Sequence, residues 1–458
     1  MSIHIIKQAV SNYLPGFIII FLTGISPAAY AQDLLEVYEL ALQNDPVLKQ
    51  ANASQLAVGE SKDQSIANFL PNVSATGNST VNRLNNKRFT YQGAGLQNYS
   101  DNYFNVNLTQ PLFHWEHWIQ LSQSDNQIAQ AEADYQAELQ KLMVKVADAY
   151  FNVLSAEDNL EFSRAEKQAI ARQLDQAKQQ FAIGVIGITE SQQAQAAFDT
   201  ATANEIEAAN NVDNQKEALE EIIGEQDITL NALGEKIPLA RPEPDDISVW
   251  SSSAEVGNFS IISAFNQMEF ARKSIDLQRN GHLPKLDLTA SVGEYDTSSN
   301  FGLRGSTEVV GLRLNVPLFE GGAVNSRTRQ ASYKYEQARE QLTAAKRAVN
   351  REVKDAYRGV TTSISRVEAL KTAVSSAEIS LQSTEAGFEV GVRTLVEVLD
   401  EQRNLYRAKR DYSRTRYDYL LNTLKLKQAS SSLDQTDMEQ INRLLVAKAA
   451  SRGEQWTN

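Results

Sequence analysis

The chain of 458 residues has no cysteine. That absence excludes disulfides, thiolate metal sites, cysteine nucleophiles and a lipidated N-terminal cysteine together. Histidine is nearly as scarce, with four in the chain, and no Ser/His/Asp arrangement is legible. His114 and His117 flank Trp115, but an i,i+3 pair without a third nearby ligand is a weak metal signal. They read instead as amphipathic aromatics at a membrane interface. No catalytic, cofactor-binding or metal residue is therefore expected, and no enzyme. Cationic excess is also lacking: the formal net charge of −13 argues against nucleic acid as a partner. Beyond the N-terminal region no stretch of about 18 apolar residues occurs, so no membrane-spanning helix is expected. A membrane form of this chain has to be a β-barrel. Proline is missing from Leu112 to Ile237 and glycine from Leu112 to Ile183, which leaves room for a very long helix.

What is present begins with a targeting pattern. Lys7 precedes an apolar run from Phe17 to Leu22, and Ala29-Tyr30-Ala31 forms a small-residue cleavage site. Residues 1–31 read as a secretory signal peptide, so the mature chain begins at Gln32 and lies outside the cytoplasm. The alternative is a short membrane anchor, for which the run is too short.

The dominant feature is an internal repeat. Leu70-Pro71 returns as Leu283-Pro284, and Pro111-Leu112-Phe113 as Pro317-Leu318-Phe319. Asp148-Ala149-Tyr150 returns as Asp355-Ala356-Tyr357, and Phe181 to Val185 as Phe388 to Val392. From the second pair onward the offset stays at 206 or 207 (317 − 111, 355 − 148, 391 − 184). Two halves are expected, joined through the Pro-rich segment Ile237 to Asp246.

Each half opens with a helix, roughly Asn44 to Asn68 and Asn258 to Asn280. Two strands follow. Val73, Ala75 and Gly77 alternate with Ser74, Thr76 and Asn78; Phe104, Val106 and Leu108 alternate with Asn105, Asn107 and Thr109. In the second half, Leu286, Leu288, Ala290 and Val292 alternate with polar or small residues, as do Val310, Leu312, Leu314 and Val316. This period of two suits barrel strands with lipid on one face and water on the other. Polar loops are expected at 82–98 and 297–306. Each strand pair then runs into a long helix with 4-3 apolar spacing, through Leu142, Val146, Ala149 and Val153 in one half and Val349, Val353, Ala356 and Val360 in the other. That is coiled-coil patterning. Each long helix turns at Gly184 or Gly391, and a second helix returns over about Ile188 to Ile223 and Thr394 to Gln428. Glu and Lys pairs along these helices read mostly as solvated faces.

Four strands cannot close a membrane barrel, which needs at least about eight, and an open edge in lipid is prohibitive. Several chains must share one barrel, and trimerisation supplies twelve strands (4 × 3).

The run Gly281 to Ser291, GHLPKLDLTAS, and the run Gly387 to Asp400, GFEVGVRTLVEVLD, resemble the outer membrane efflux protein family, the TolC-type trimeric channels of Gram-negative efflux pumps and type I secretion systems. Arg172 to Gln176 and Ala209-Asn210-Asn211 add to the resemblance, which covers nearly all of the mature chain. It implies an α+β membrane protein: a trimeric, shared 12-stranded β-barrel continued by a periplasmic α-helical barrel, with a mixed equatorial region. The implied partition is 32–69 helical, 70–114 strands, 115–223 helical hairpin and 224–257 equatorial. The second half repeats it as 258–283, 284–319, 320–428 and the tail 429–458. The implied function is export of drugs, toxic compounds or secreted proteins from the periplasmic side to the exterior. The implied partners are two further copies of the chain, a periplasmic adaptor, an inner-membrane transporter of RND, ABC or MFS type, and outer-membrane lipid.

A duct has no chemistry at its centre, so its informative residues belong at the constriction. The positions matching the family's periplasmic gate are Thr189, Glu190, Phe388 and Arg393. Phe388 stands where the family often has tyrosine, so one gate hydrogen bond is expected to be missing. Arg393 before Glu397 is the poorer order for an i,i+4 pair, which leaves a pairing of Arg393 across hairpins open. Glu397 and Asp400 share a helix face and in a trimer form a ring of six carboxylates (2 × 3), a candidate cation-selectivity ring. The turns at Gly184, Val185, Gly391 and Val392 are the expected adaptor contacts. Competing readings are a periplasmic or surface coiled-coil protein, which leaves the two strand pairs unexplained, and a secreted hydrolase, for which no catalytic set exists. A narrower role in metal or single-substrate efflux is the alternative within the duct class.

Overall fold

The computed structural model describes residues 31–87, 95–226, 229–298 and 302–446. The expected signal peptide, apart from Ala31, and the last twelve residues of the tail lie outside them. In chain order the elements are α1 (Leu34–Asn44), α2 (Pro46–Ala67), β1 (Asn72–Asn86), β2 (Gly95–Phe113), α3 (Trp115–Ala182), α4 (Ile188–Ile223) and β3 (Ala232–Leu233). Then come α5 (Ile247–Gly257), α6 (Phe259–Arg279), β4 (Lys285–Thr297), β5 (Arg304–Asn315), α7 (Ala323–Glu389), α8 (Leu395–Ala429), α9 (Gln435–Asn442) and β6 (Leu445–Val446). Among the described residues no helix is long and apolar enough to cross a membrane.

The four long strands form one antiparallel sheet in the order β1-β2-β4-β5. Its register brings apolar residues from all four strands onto one face. Val73, Leu108, Ala290 and Val310 form one row across the sheet, and Leu288 stands beside Leu312 in the next. On the other face Thr76, Asn105, Gly293 and Thr307 form a polar row. Glu308, opposite Val292, and Glu294, opposite Phe104, enter the apolar face at its upper end and mark where it stops.

The strands run further than the expected loops allow. β1 continues to Asn86 and β2 starts at Gly95, while β4 continues to Thr297 and β5 starts at Arg304. Polar composition alone suggested loops over 82–98 and 297–306, but polar side chains here bond across the ladder. Ser79 Oγ donates to Asn102 Oδ1 at 2.6 Å, and Asn82 Nδ2 to Asp101 Oδ2 at 2.8 Å. Such pairs hold strands together without an apolar face.

A one-residue register shift sits between Pro111 and Phe113 of β2. Before it, Pro111 pairs with Asp287 on the polar face; after it, Phe113 pairs with Leu286 on the apolar face. The extra residue, Leu112, resets the alternation so that the end of β2 keeps its apolar side chain on the apolar face.

Each strand is continued by a helix, so the helices inherit the order of the strands. Above the molecule's middle they pack in the row α2–α3–α6–α7. Further along, α3 pairs with α4, α7 with α8, and α3 with α8. The seam of α7 is a heptad series: Val324, Ala331 and Ala338, then Leu342 and Val349, then Val353, Val360 and Val367, all buried. α3 spans 68 residues, about 100 Å at 1.5 Å per residue.

The expected first helix of each half is present as α2 and α6, and a further helix precedes each, separated from it by a capping residue. Asp45 ends α1 and caps α2, its side chain accepting from Leu48 N at 2.8 Å, with Pro46 at the first helical position. The equivalent Asn258 ends α5 and caps α6, accepting from Ser260 N at 2.9 Å and donating through Nδ2 to the Ala429 carbonyl at 2.9 Å. α1 was not legible as a separate helix, because the expected helix began at Asn44.

The main core lies around the middle of α3. Val146, Tyr150 and Val153 are fully buried against Leu34 and Val37 of α1, Ile223 of α4 and Met438 of α9. Burying each such aliphatic side chain contributes roughly 1.5–3 kcal/mol. The two-residue strands β3 and β6 pair here, and the Tyr150 hydroxyl donates to the Asn231 carbonyl at 2.9 Å. The tail of each half is thereby tied to the waist of the long helices.

Candidate functional site

The two hairpin tips share one backbone solution. α3 ends at Gly184 with φ +77°, where Gly184 N donates to Phe181 O and Val185 N to Gln180 O. α7 ends at Gly391, also with φ +77°, where Gly391 N donates to Phe388 O and Val392 N to Gly387 O. A left-handed residue closes each helix, and only glycine adopts it without strain. Val185 and Val392 follow and are exposed, as are Ile183 and Val390 before each glycine.

After the turns the halves diverge. α4 starts at Gly187 with no side-chain cap. The Glu190 carboxylate lies over that first turn, so close to Gly187 that an added Cβ there would meet Oε2 at 2.8 Å. Thr189 is exposed beside it. α8 starts with a full capping box: Thr394 N donates to Glu397 Oε2 at 2.7 Å, and Glu397 N donates to Thr394 Oγ1. Arg393 donates to Glu397 Oε1 at 2.9 Å. The backbone donor at Thr394 and then Arg393 hold the Glu397 carboxyl below the usual range. Gly387 makes room for this arrangement, since a Cβ there would meet Arg393 Cγ at 2.6 Å.

The orientation rule that disfavours Arg before Glu applies inside a helix. Arg393 precedes the cap residue Thr394 and is outside α8, so it reaches back over the first turn without that penalty. Within one chain, therefore, Arg393 is paired with Glu397 and not across the hairpins with Glu190. Asp400, one turn further on, is paired with Arg403. Both carboxylates of the candidate ring thus carry an arginine partner from their own helix or its cap.

Phe388 packs into a second, smaller core at the tips. Ile170, Leu174 and Ala177 of α3, Ala194 and Ala201 of α4, and Leu395 and Leu399 of α8 are buried there, with Phe388 against them. The ring carries no hydroxyl and fills apolar space.

Three polar contacts between the long helices were not legible as a site. Glu166 on α3 is 4% exposed and accepts from Arg410 on α8 at 2.8 Å. Asp158 on α3 accepts from Ser413 and, at 2.8 Å, from the Tyr417 hydroxyl, both on α8. Burial pushes the Asp158 carboxyl up, against these hydrogen bonds and the nearby Arg416. Lys167 binds Glu205 of α4 at 2.8 Å. Most helix-face charges are solvated as expected, but Glu166 is not, because α3 packs on α8 as well as on α4.

At the other end of α3, His114 Nε2 lies 2.9 Å from Asp287 Oδ1 and its Nδ1 3.2 Å from Glu116 Oε1, with His117 stacked on it at 4.8 Å. Glu116 is also bonded by Lys285, which with the helix start outweighs the burial acting on it and keeps its carboxyl low. Sequence spacing supplied only the two histidines; the strand register adds Asp287. His114, Glu116 and His117 are the one set of potential metal ligands brought together among the described residues. The rings are nearly parallel, 18° apart, and an ammonium already neutralises Glu116, so the set reads as a hydrogen-bonded joint between β4 and α3.

A sheet with one apolar and one polar face, continued by coiled-coil hairpins, has the build of an outer-membrane duct on the α+β channel fold. The family model described as Outer membrane efflux protein matches the chain twice, over residues 37–225 and 250–432, once in each half of the repeat. The outer membrane protein TolC of Escherichia coli (strain K12) is 36% identical over 445 residues, covering 94% of this chain and 89% of that protein. TolC of Vibrio cholerae is 37% identical over 443 residues, covering 95% and 99%. The alkaline protease secretion protein AprF of Pseudomonas aeruginosa is 29% identical, covering 92% and 88%. Among solved structures, the Campylobacter jejuni CmeC outer membrane channel superposes with a TM-score of 0.76 at 17% identity, covering 91% and 90% of the two chains. The chain belongs to the outer membrane efflux protein family and is an export channel of the outer membrane with a periplasmic portion.

Proposed function

We propose that three copies of this chain close into one twelve-stranded barrel, with β5 of each copy pairing with β1 of the next, and that their α-helices continue it as a tunnel. The observation that carries this reading is the two-faced sheet with two long unpaired edges. Among the described residues β1 and β5 have no outer partner, yet their apolar face is continuous with the centre. Open edges are not tolerated in lipid, and closure by identical copies is the least demanding remedy. In that assembly 70–114 and 284–319 are the membrane barrel, 115–223 and 320–428 the hairpins, and 224–257 with 429–458 the waist.

The duct serves efflux and type I secretion, taking its cargo from an inner-membrane transporter of RND, ABC or MFS type through a periplasmic adaptor. The relatives support both roles, since TolC and a protease secretion protein align over nearly the whole chain. The adaptor docks at the exposed tips around Gly184, Val185, Gly391 and Val392. Thr189, Glu190, Phe388 and Arg393 form the gate, and Glu397 with Asp400 the selectivity ring. The absence of cysteine makes the test clean. Cysteines scanned along the β1 and β5 edges are expected to cross-link into covalent dimers and trimers and nothing larger. Cross-linked ladders beyond three, or none in outer-membrane fractions, would refute the closed trimer. Copurification of a cross-linked adaptor and transporter tests the partners.

A further inference from the structure

Just below the sheet, α3 and α6 enclose an open groove of about 490 Å³. Trp115 and Trp118 line it from α3, at 49% and 58% exposure. Arg272, Lys273 and Arg279 line it from α6, with Asp276 between them.

The register fixes which side of the molecule this groove faces. After the shift at Leu112, Phe113 lies on the apolar face of the sheet with Leu286. His114 has extended backbone, so its side chain falls on the opposite, polar face, where it meets Asp287. Carrying the alternation one residue past the extended His114 places Trp115 on the side of Phe113, and Trp118 follows one helical turn on. By that argument the groove they line opens on the same side as the apolar belt. It also lies between the two inner helices of the row α2–α3–α6–α7, away from the outer helices that a neighbouring copy would cover.

Its charges suit an anion. Lys273 is held by the Ser122 carbonyl at 2.7 Å and Asn126 Oδ1 at 2.6 Å, and no carboxylate pairs with it among the described residues. Arg279 has only a loose, exposed pair with Asp276 at 3.6 Å, and Arg272 pairs with Glu269. Exposed pairs of this kind exchange readily. Arginine suits phosphate through its planar fork, and tryptophans of this amphipathic kind sit at headgroup depth.

We propose that this groove binds the phosphate-bearing headgroup of an anionic phospholipid from the inner leaflet of the outer membrane. Lys273 and Arg279 hold the phosphate, Arg272 adds charge, and Trp115 and Trp118 frame the glycerol region. The site fixes the depth and rotation of each subunit at the joint where strands become helices. It rests on the reading of the apolar face as lipid-facing.

The test uses the full chain in nanodiscs of mixed phosphatidylglycerol and phosphatidylethanolamine. Native mass spectrometry is expected to show retained phosphatidylglycerol enriched about five-fold or more over the bulk ratio. The triple variant Lys273→Gln, Arg272→Gln, Arg279→Gln is expected to retain lipid at the bulk ratio. Bulk-ratio retention by the unaltered chain, or unchanged enrichment in the variant, overturns the site. A second measurement needs no change at the groove. With Trp250→Phe and Trp456→Phe, the remaining fluorescence comes from Trp115 and Trp118. Brominated phosphatidylglycerol is expected to quench it more than brominated phosphatidylethanolamine. Equal quenching by both overturns headgroup selection alone, whereas no quenching by either overturns the lipid-facing assignment beneath it.

Discussion

Arg393 and Glu397 meet at 2.9 Å across the first turn of α8, and the same carboxylate closes the capping box with Thr394. One acid thus ends the turn, starts the helix and contributes to the candidate ring. Asp400 is likewise countered by Arg403. The ring's six carboxylates in a trimer face six arginines (2 × 3), so its net field depends on which groups point into the lumen. Removing both acids in Glu397→Ala, Asp400→Ala leaves the arginines uncompensated. Planar-bilayer recordings are expected to show cation preference replaced by anion preference, and loss of block by hexahydrated multivalent cations. Unchanged reversal potentials would sink the selectivity ring.

The Glu166–Arg410 pair joins the first hairpin, α3–α4, to the second, α7–α8, with the acid almost fully buried. Arg410→Ala strands that carboxylate, which costs about 3–5 kcal/mol for a buried charge. Much of this returns when Glu166→Leu is added, because the desolvated charge is then gone. The single variant is expected to unfold at lower temperature and to conduct more in the closed state, as α8 loosens from α3. A single variant that melts with the unaltered chain would show that the pair contributes nothing.

Asn258 is the capping residue with most to lose. Its Oδ1 caps α6 and its Nδ2 satisfies the Ala429 carbonyl at the end of α8. Asn258→Ala removes a cap, about 1 kcal/mol, and leaves a buried acceptor unpaired, about 1–3 kcal/mol more. Asn258→Ser keeps a capping acceptor and loses the amide donor. Heat-modifiability on gels is expected to rank the unaltered chain first, then Ser, then Ala. A rank with Ser at or below Ala would place the effect elsewhere.

The strand faces and the repeat were legible because both are local or periodic signals. Val73, Val106, Ala290 and Val310 announce their face through neighbours two residues away. The turns at Gly184 and Gly391 were legible because Gly184 ends a glycine-free stretch and the same Phe-x-x-Gly-Val pattern recurs at Gly391. The α3–α8 contacts were not, since Glu166 and Arg410 are 244 residues apart and each resembles a solvated helix charge. Nothing periodic marks which heptad helix will receive a second neighbour. The bulge at Leu112 was hidden for a related reason: a single extra residue shifts pairing without changing composition. The Arg393–Glu397 pair is visible as a spacing, but spacing alone does not show the cap at Thr394, which decides its geometry.

Asp158 gives the helix contact a pH dependence whose sign follows from its surroundings. Ser413 and Tyr417 both donate to it, Arg416 is near, and Glu161 adds a like charge. Burial outweighs the donors and raises its folded pKa above the usual 3.8. The folded state therefore holds this proton more tightly than the unfolded chain does. Its contribution to stability is full below the unfolded pKa and is lost as pH rises through the folded value. Asp158→Asn keeps an acceptor for Tyr417 and removes the ionisation. At neutral pH the variant is expected to melt at or above the unaltered chain, and the gap is expected to close as pH falls toward 4. Acid loss at other carboxylates, such as Asp45 and Glu397, affects both proteins alike and cancels in the difference. A variant less stable than the unaltered chain at neutral pH, with a gap that does not change on acidification, would show that the charged form of Asp158 is the one α3 and α8 are built around.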